Sequence, residues 1–240
     1  MSEPAVDPGR SRELRARLDA VRTRIAAAAE AAGRASTDVT LVVVTKTWPA
    51  SDVRRLSDLG VGDVAENRHQ EAEKKTAELP GLDVTWHFIG QVQSNKAARI
   101  AAYADVVHSV DSVRVVRRLN SGADQHDRSL DCLVQVSLDP DGLVDGRGGA
   151  ATAVVGEIAA AIADTGLLRL RGVMGVAPLG ADPRPAYEDL ASISRAVQAI
   201  HHEATWMSAG MSKDFEAAIS AGATHVRVGS AILGERPALR

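Results

Sequence analysis

The sequence predicts an α/β protein of the (β/α)₈ barrel class. Three observations carry that expectation. Eight short apolar runs recur along the chain, several of them nearly continuous in Val, Leu and Ile, as strands covered on both faces are. The segments between them carry helical periodicity and helix-stop residues. The length of 240 residues is ordinary for one such barrel. A doubly wound open sheet is the alternative architecture.

The elements follow in order. "MSEPAVDPGR" (1–10) contains two prolines and a glycine and reads as a flexible tail without an apolar signal region. Residues 11–240 read as one domain. From Ser11, the spacing of Leu14, Leu18, Val21 and Ile25 predicts a helix that stops near Gly33. "TLVVVTK" (40–46) is the first strand, and a helix over 51–59 ends before Gly60. "VGDVAEN" (61–67) is the second strand. In the helix after it, Glu71 and Lys75 stand at i,i+4 spacing and read as an exposed pair. "VTWHFIG" (84–90) and "DVVHSVD" (105–111) are strands three and four, with Asp111 placed to cap the next helix. "CLVQVSL" (132–138) is strand five, and its Cys132 reads as a core residue. The Gly/Asp-rich stretch 137–149 reads as a surface loop or a lid. After a helix over "AVVGEIAAAIADTG", strand six is "LRGVMGVAP" (170–178). A long amphipathic helix, "AYEDLASISRAVQAIHH", leads to "ATWMSAG" (204–210). "SKDFEAAISAG" reads as a helix that begins at a Ser cap and ends at Gly222, and "HVRVGSAIL" (225–233) is the last strand.

The totals exclude several classes. Lys and Arg number 28 against 31 Asp and Glu, a net charge of −3, and no basic run suggests a nucleic-acid surface. One cysteine excludes an internal disulfide. No apolar segment reaches the roughly 18 residues of a membrane span, so the cytoplasm is the expected location. No His/Cys/Asp cluster has metal-ligand spacing, and no Walker loop or G-x-S-x-G elbow occurs.

In a barrel of this kind, sites form where the strands end. Those ends offer Lys46, Glu66 with Asn67, His87 with Gly90, His108, Ser109 and Asp111. They also offer Met174, then Ser208, Gly210, Met211 and Ser212, then Arg227, Gly229 and Ser230. "SAGMS" and "RVGSAILG" are Gly-rich turns at the two loops where barrels commonly hold phosphate. Lys46 has two readings: an ammonium that reaches solvent or a carboxylate, or an amine held near a phosphorylated carbonyl compound. His87 and His108 read as core histidines or as an acid and a base. A phosphate clamp plus a lysine is the minimum that holds pyridoxal 5′-phosphate (PLP). A sugar-phosphate barrel without PLP is a further reading.

The motifs "LVVVTKTWP", "VGDVAENRHQEAEKK", "WHFIGQVQSNKAARI", "VVHSVDSVRVVRRL", "LRGVMGVAPLG" and "SAGMSKDFEAAISAGATHVRVGSAILGER" span about residues 11–237. With them the chain resembles the pyridoxal phosphate homeostasis proteins, single-domain relatives of the TIM barrel that forms the N-terminal domain of alanine racemase (fold type III PLP proteins). The resemblance implies an aldimine between Lys46 and PLP. It implies a phosphate site from Ser208, Gly210, Met211, Ser212, Gly229 and Ser230, and Arg227 at the pyridine nitrogen. Asn67 and His87 are implied to line the pocket, with Met174 nearby. It further implies a monomer that buffers or delivers PLP, with PLP-requiring apoenzymes as partners and no catalytic residue. A racemase-like enzyme is the alternative, but it needs a second base opposite the lysine. Tyr103 and Tyr187, the two tyrosines, fall in helical stretches away from strand ends. The chain departs from the family pattern at "AENR" (65–68), at Trp48 and in the 139–149 loop.

Overall fold

A computed structural model of the chain describes residues 8–139 and 148–235. Most of the expected tail (1–7) and of the 137–149 loop (140–147) therefore lies outside the described residues. Among those described, eight parallel strands close into a barrel in sequence order. They are β1 (Thr40–Val44), β2 (Asp63–Glu66), β3 (Thr85–Phe88), β4 (Val106–Val110), β5 (Leu130–Val136), β6 (Leu168–Gly175), β7 (Trp206–Ser208) and β8 (His225–Val228). β1 and β8 close the ring in the register Thr40↔His225 to Val43↔Val228. The open-sheet alternative is thereby excluded.

The helices are α1 (Pro8–Ala31), α2 (Ala50–Asp58), α3 (His69–Glu78), α4 (Ala97–Ala101) and α5 (Val113–Gln125). They continue as α6 (Val155–Ala163), α7 (Pro183–Ile200), α8 (Phe215–Ser220) and α9 (Ser230–Leu233). The outward strand faces and these helices share two large apolar clusters. Leu14, Leu18, Val21 and Ile25 of α1 pack with Val43, Val226 and Val228. Val107, Cys132 and Val173 pack with Leu119, Ile158 and Leu190.

Among the boundaries that differ from expectation, four bear on the frame of the site. Among the described residues α1 reaches back to Pro8, ahead of the expected Ser11, so Gly9 and Arg10 are helical where a tail was expected. Arg10 then ties this turn down. It donates to Asp52 at 3.1 and 2.8 Å and to the Leu233 carbonyl at 3.0 Å, and lies over the Trp48 ring. The last strand stops at Val228, and "SAIL" is the helical turn α9, which buries Ile232 and Leu233 against α1. The segment from Ser212 does not cap α8 directly. Asp214 stands at the N-cap, and its Oδ1 accepts the Met211 N–H at 2.6 Å. α5 starts after Ser112 rather than at an Asp111 cap.

Gly60 follows the end of α2 with φ +76, and a Cβ there would meet only the Arg22 guanidinium, at an ordinary contact distance of 3.9 Å. A Cβ there costs only backbone strain. Gly60→Ala should destabilise the protein by about 1 kcal/mol and lower Tm by roughly 2–4 °C. A thermal melt showing no shift would contradict the left-handed assignment.

The barrel interior departs from stacked branched apolar layers. Only small apolar clusters sit inside: Val42, Val44 and Ala65 on one wall, Val106, Leu133 and Met174 on the other. Between them lie His87, His108, Ser208, His225 and Arg227, all buried.

Candidate functional site

A cavity of about 290 Å³ opens where the strands end. Lys46, Met211, Ser212, Arg227, Gly229 and Ser230 line it, with Val44, Trp48, Ile89 and Leu179 as apolar walls and Lys213 and Asp214 beside them. Six of the eleven expected site residues therefore meet in one space.

The strand-one end is braced from below. Lys75 is buried, contrary to the expectation of an exposed pair, because α3 lies across the ends of β1 and β2. Its ammonium donates to the Thr45 carbonyl at 2.8 Å, Glu66 at 2.6 Å and Glu71 at 2.9 Å. The Thr45 hydroxyl donates to the same Glu66 oxygen at 2.5 Å. Glu71 also accepts the Thr47 N–H. Thr47 has φ +72, a left-handed conformation that a β-branched residue adopts only when its surroundings impose it. The Lys46 turn is thus held from both sides: Thr45 and Thr47 are each tied to the Lys75 cluster. Burial pushes the Glu66 carboxyl above its ordinary range, and the Lys75 ammonium pulls it back only partly.

The opposite wall is built on glycine. Gly229 lets β8 approach β1, since a Cβ there would stand 3.0 Å from the Val44 carbonyl. Ser212 Oγ accepts the Gly229 and Ala231 N–H groups at 3.4 Å each. Small residues, a hydroxyl and backbone N–H groups form an anion cup. Arg227 is buried; it donates from Nη1 to Ser208 Oγ at 2.6 Å and from Nη2 to the Gly175 carbonyl at 2.9 Å. Burial lowers its guanidinium to about 10, with Tyr187 and Asp214 acting against that shift.

The other five expected residues stand elsewhere. Ser208 lies beneath Arg227, fully buried, between that guanidinium and His108. Gly210 has φ +86 and brings α8 close, because a Cβ would meet Phe215 and Ala218 at 2.7 Å. Met174 packs inside the barrel with Val106 and Leu133. His87 is buried in the interior and bonded to His108. Asn67 faces a neighbouring cleft with Arg68, Gln91 and Lys96. Gly90 lets it settle there, since a Cβ at residue 90 would fall 1.9 Å from the Asn67 carbonyl. Sequence reasoning missed Asp214, the strained Thr47 and the Lys75 brace. Only the i,i+4 spacing of Glu71 and Lys75 hinted at the last. Both tyrosines are engaged outside the cavity lining. Tyr187 donates to Asp214 at 2.9 Å, and Tyr103 stacks on His69. Among the described residues, no group of three His, Cys, Asp or Glu could hold a metal, and no helix is long and apolar enough to cross a membrane.

Barrel and site together define a class. The family model for the N-terminal domain of alanine racemase matches residues 16–237. Within that class the chain belongs to the pyridoxal phosphate homeostasis protein family. The relative of that name from Mycobacterium tuberculosis is 42% identical over 245 residues, with 95% of each chain covered. The one from Escherichia coli is 36% identical over 225 residues, covering 91% of this chain and 95% of its own. Among solved structures, PipY of Synechococcus elongatus with PLP bound superposes with a TM-score of 0.80 at 32% identity, covering 92% of this chain and all of that one.

Proposed function

We propose that this chain binds PLP reversibly and buffers or delivers it, without robust catalysis of its own. The observation that carries the reading is the single cavity onto which Lys46, Arg227 and the Ser212–Gly229–Ser230 cup converge. The residues fit the group. A lysine amine suits an aldehyde, the hydroxyl-and-amide cup suits a phosphate, and Trp48, Val44 and Ile89 suit the faces of a flat ring. When bound, PLP supplies an aldehyde that condenses with amines and a ring that withdraws electrons.

Lys46 is the covalent anchor in this reading. Ser212, Gly229, Ser230 and the Met211 backbone hold the phosphate, with Ser208 and Gly210 supporting that wall from beneath. Arg227 faces the ring nitrogen. A cation there disfavours protonation of that nitrogen and leaves the ring a weaker electron sink, which suits a carrier better than a catalyst. His87, Met174 and Asn67 act at a distance, since none lines the cavity. A racemase-like reading needs a second base facing Lys46, and neither tyrosine lines the cavity: Tyr103 stacks on His69, and Tyr187 lies behind the lining residue Asp214, to which it donates. In this reading the protein is a cytoplasmic monomer that passes PLP to apoenzymes.

Adding PLP to the purified protein, reducing with borohydride and mapping the peptides tests this reading. The expected result is one pyridoxyl group, on Lys46. No PLP uptake, or a label on another lysine, would overturn it. Brisk interconversion of alanine enantiomers would favour the enzyme.

A further inference from the structure

A chain of buried hydrogen bonds runs through the barrel interior from one end to the other. His87 Nε2 lies 2.9 Å from Asp63 Oδ1, and His87 Nδ1 lies 2.7 Å from His108 Nε2. His108 Nδ1 lies 2.9 Å from Ser208 Oγ, which lies 2.6 Å from Arg227 Nη1. Asp63 opens β2, at the barrel end opposite the cavity, and its side chain keeps 30% exposure. Arg227 lines the cavity.

Two fixed ends give this chain one direction. Arg227 can only donate, so Ser208 Oγ must accept from it. The Asp63 carboxylate can only accept, so His87 Nε2 carries a proton. The interior of the chain must agree with both ends. A neutral His87 then has a bare Nδ1, which accepts from His108 Nε2–H. His108 Nδ1 is bare in turn and accepts the Ser208 proton. The reverse arrangement sets a bare His87 Nε2 against a carboxylate, or requires a cationic imidazole inside the barrel. The interior already holds the Arg227 cation 2.6 Å from Ser208 Oγ, which opposes a second cation on the same buried chain, and burial holds His108 well below its ordinary value. His225 adds no competing charge. Its ring bonds Thr224 Oγ1 at 2.9 Å, and burial holds it down at about 3.

The geometry points to Asp63, His87, His108 and Ser208 as a polarised positioning relay that aims the Arg227 guanidinium at the cavity. Ser208 spends its proton on His108 and leaves only lone pairs for Arg227. The serine thereby acts on the cavity through Arg227 rather than as a donor to phosphate. Asp63, on the far side of the barrel, orients a group at the site without touching it. The consequence for the PLP ring rests on the proposed function. The direction of the relay does not.

Proton–nitrogen NMR of the cofactor-free protein with isotope-labelled histidine reads the tautomers directly. The expected result near neutral pH is His87 and His108 both neutral, protonated on Nε2 and bare on Nδ1. A ring protonated on Nδ1 overturns the relay, whatever the protein does with PLP. In Asp63→Asn the carboxamide can donate as well as accept, so the His87 tautomer should become mixed, and Asp63→Glu should restore it. The same Asp63→Asn protein should bind added PLP roughly threefold to tenfold more weakly, with a displaced absorbance band. Unchanged tautomers in Asp63→Asn overturn the role of Asp63. Altered tautomers with unchanged PLP affinity and spectrum overturn its link to Arg227. A wild-type protein with the expected tautomers and no PLP uptake leaves the relay standing and removes the PLP reading instead.

Discussion

Lys46→Ala should lose the absorbance band that PLP gives with the wild-type protein and bind PLP at least about 100-fold more weakly, close to 2.7 kcal/mol. The arginine variant separates causes. Lys46→Arg keeps a positive charge near the phosphate cup but has no amine that can condense with an aldehyde. If Lys46 anchors the cofactor covalently, Arg should fail as badly as Ala. If Lys46 only attracts a phosphate, Arg should recover most of the affinity, and the sugar-phosphate reading gains. Equilibrium dialysis with PLP and an absorbance spectrum on the three proteins decide it. A circular-dichroism melt shows that each is folded. Lys75, Glu66 and Glu71 carry the brace beneath the turn in all three proteins.

Much of this architecture is written in local sequence. Continuous Val/Leu/Ile runs specify strands buried on both faces, and each of the eight expected runs overlaps one observed strand, with β5 and β6 starting two residues earlier than expected. Lys46, Ser212, Arg227, Gly229 and Ser230 follow from position at strand ends, which the barrel turns into proximity. The failures have physical causes. "SAIL" after Val228 is apolar enough for a strand, and only packing against α1 decides that it is helical. Asn67 follows Glu66 by one residue, yet the chain turns after β2 and sends it to the neighbouring cleft. Glu71 and Lys75 have the spacing of a solvated pair, and nothing local says that α3 will lay them over Thr45. The histidine relay joins residues 21 and 100 positions apart. Alternation with outward apolar neighbours puts His87 and His108 inside the barrel, but their partners exist only once the ring closes.

Lys75→Ala should cost about 3–5 kcal/mol, because it leaves the Glu66 carboxylate buried without its cation. For a chain of this size that is a Tm loss of roughly 10 °C. Glu71 is partly exposed and can turn to water, whereas Glu66 is buried, and its Oε2 already has no partner. The penalty should depend on pH, with a definite sign. An unfolded glutamate titrates near about 4.3. In the folded protein burial holds Glu66 above that, and Lys75 is the chief influence pulling it down. Removing Lys75 therefore raises the folded value further. A group raised on folding favours the folded state while protonated and loses that contribution as pH climbs through the folded value. The variant should accordingly be nearer to wild type at about pH 5 than at about pH 8. Lys75→Met combined with Glu66→Gln should recover much of the loss, since a neutral amide pairs with Thr45 at little desolvation cost. Guanidinium unfolding of the three proteins at both pH values measures this, and an equal loss at the two pH values would exclude a buried carboxylate as its cause. The same brace holds Thr47 left-handed beside Lys46. The single variant should therefore also bind PLP more weakly at temperatures where it is fully folded, and the double variant should not recover all of that affinity, because Glu71 keeps no ammonium to fix it against the Thr47 N–H.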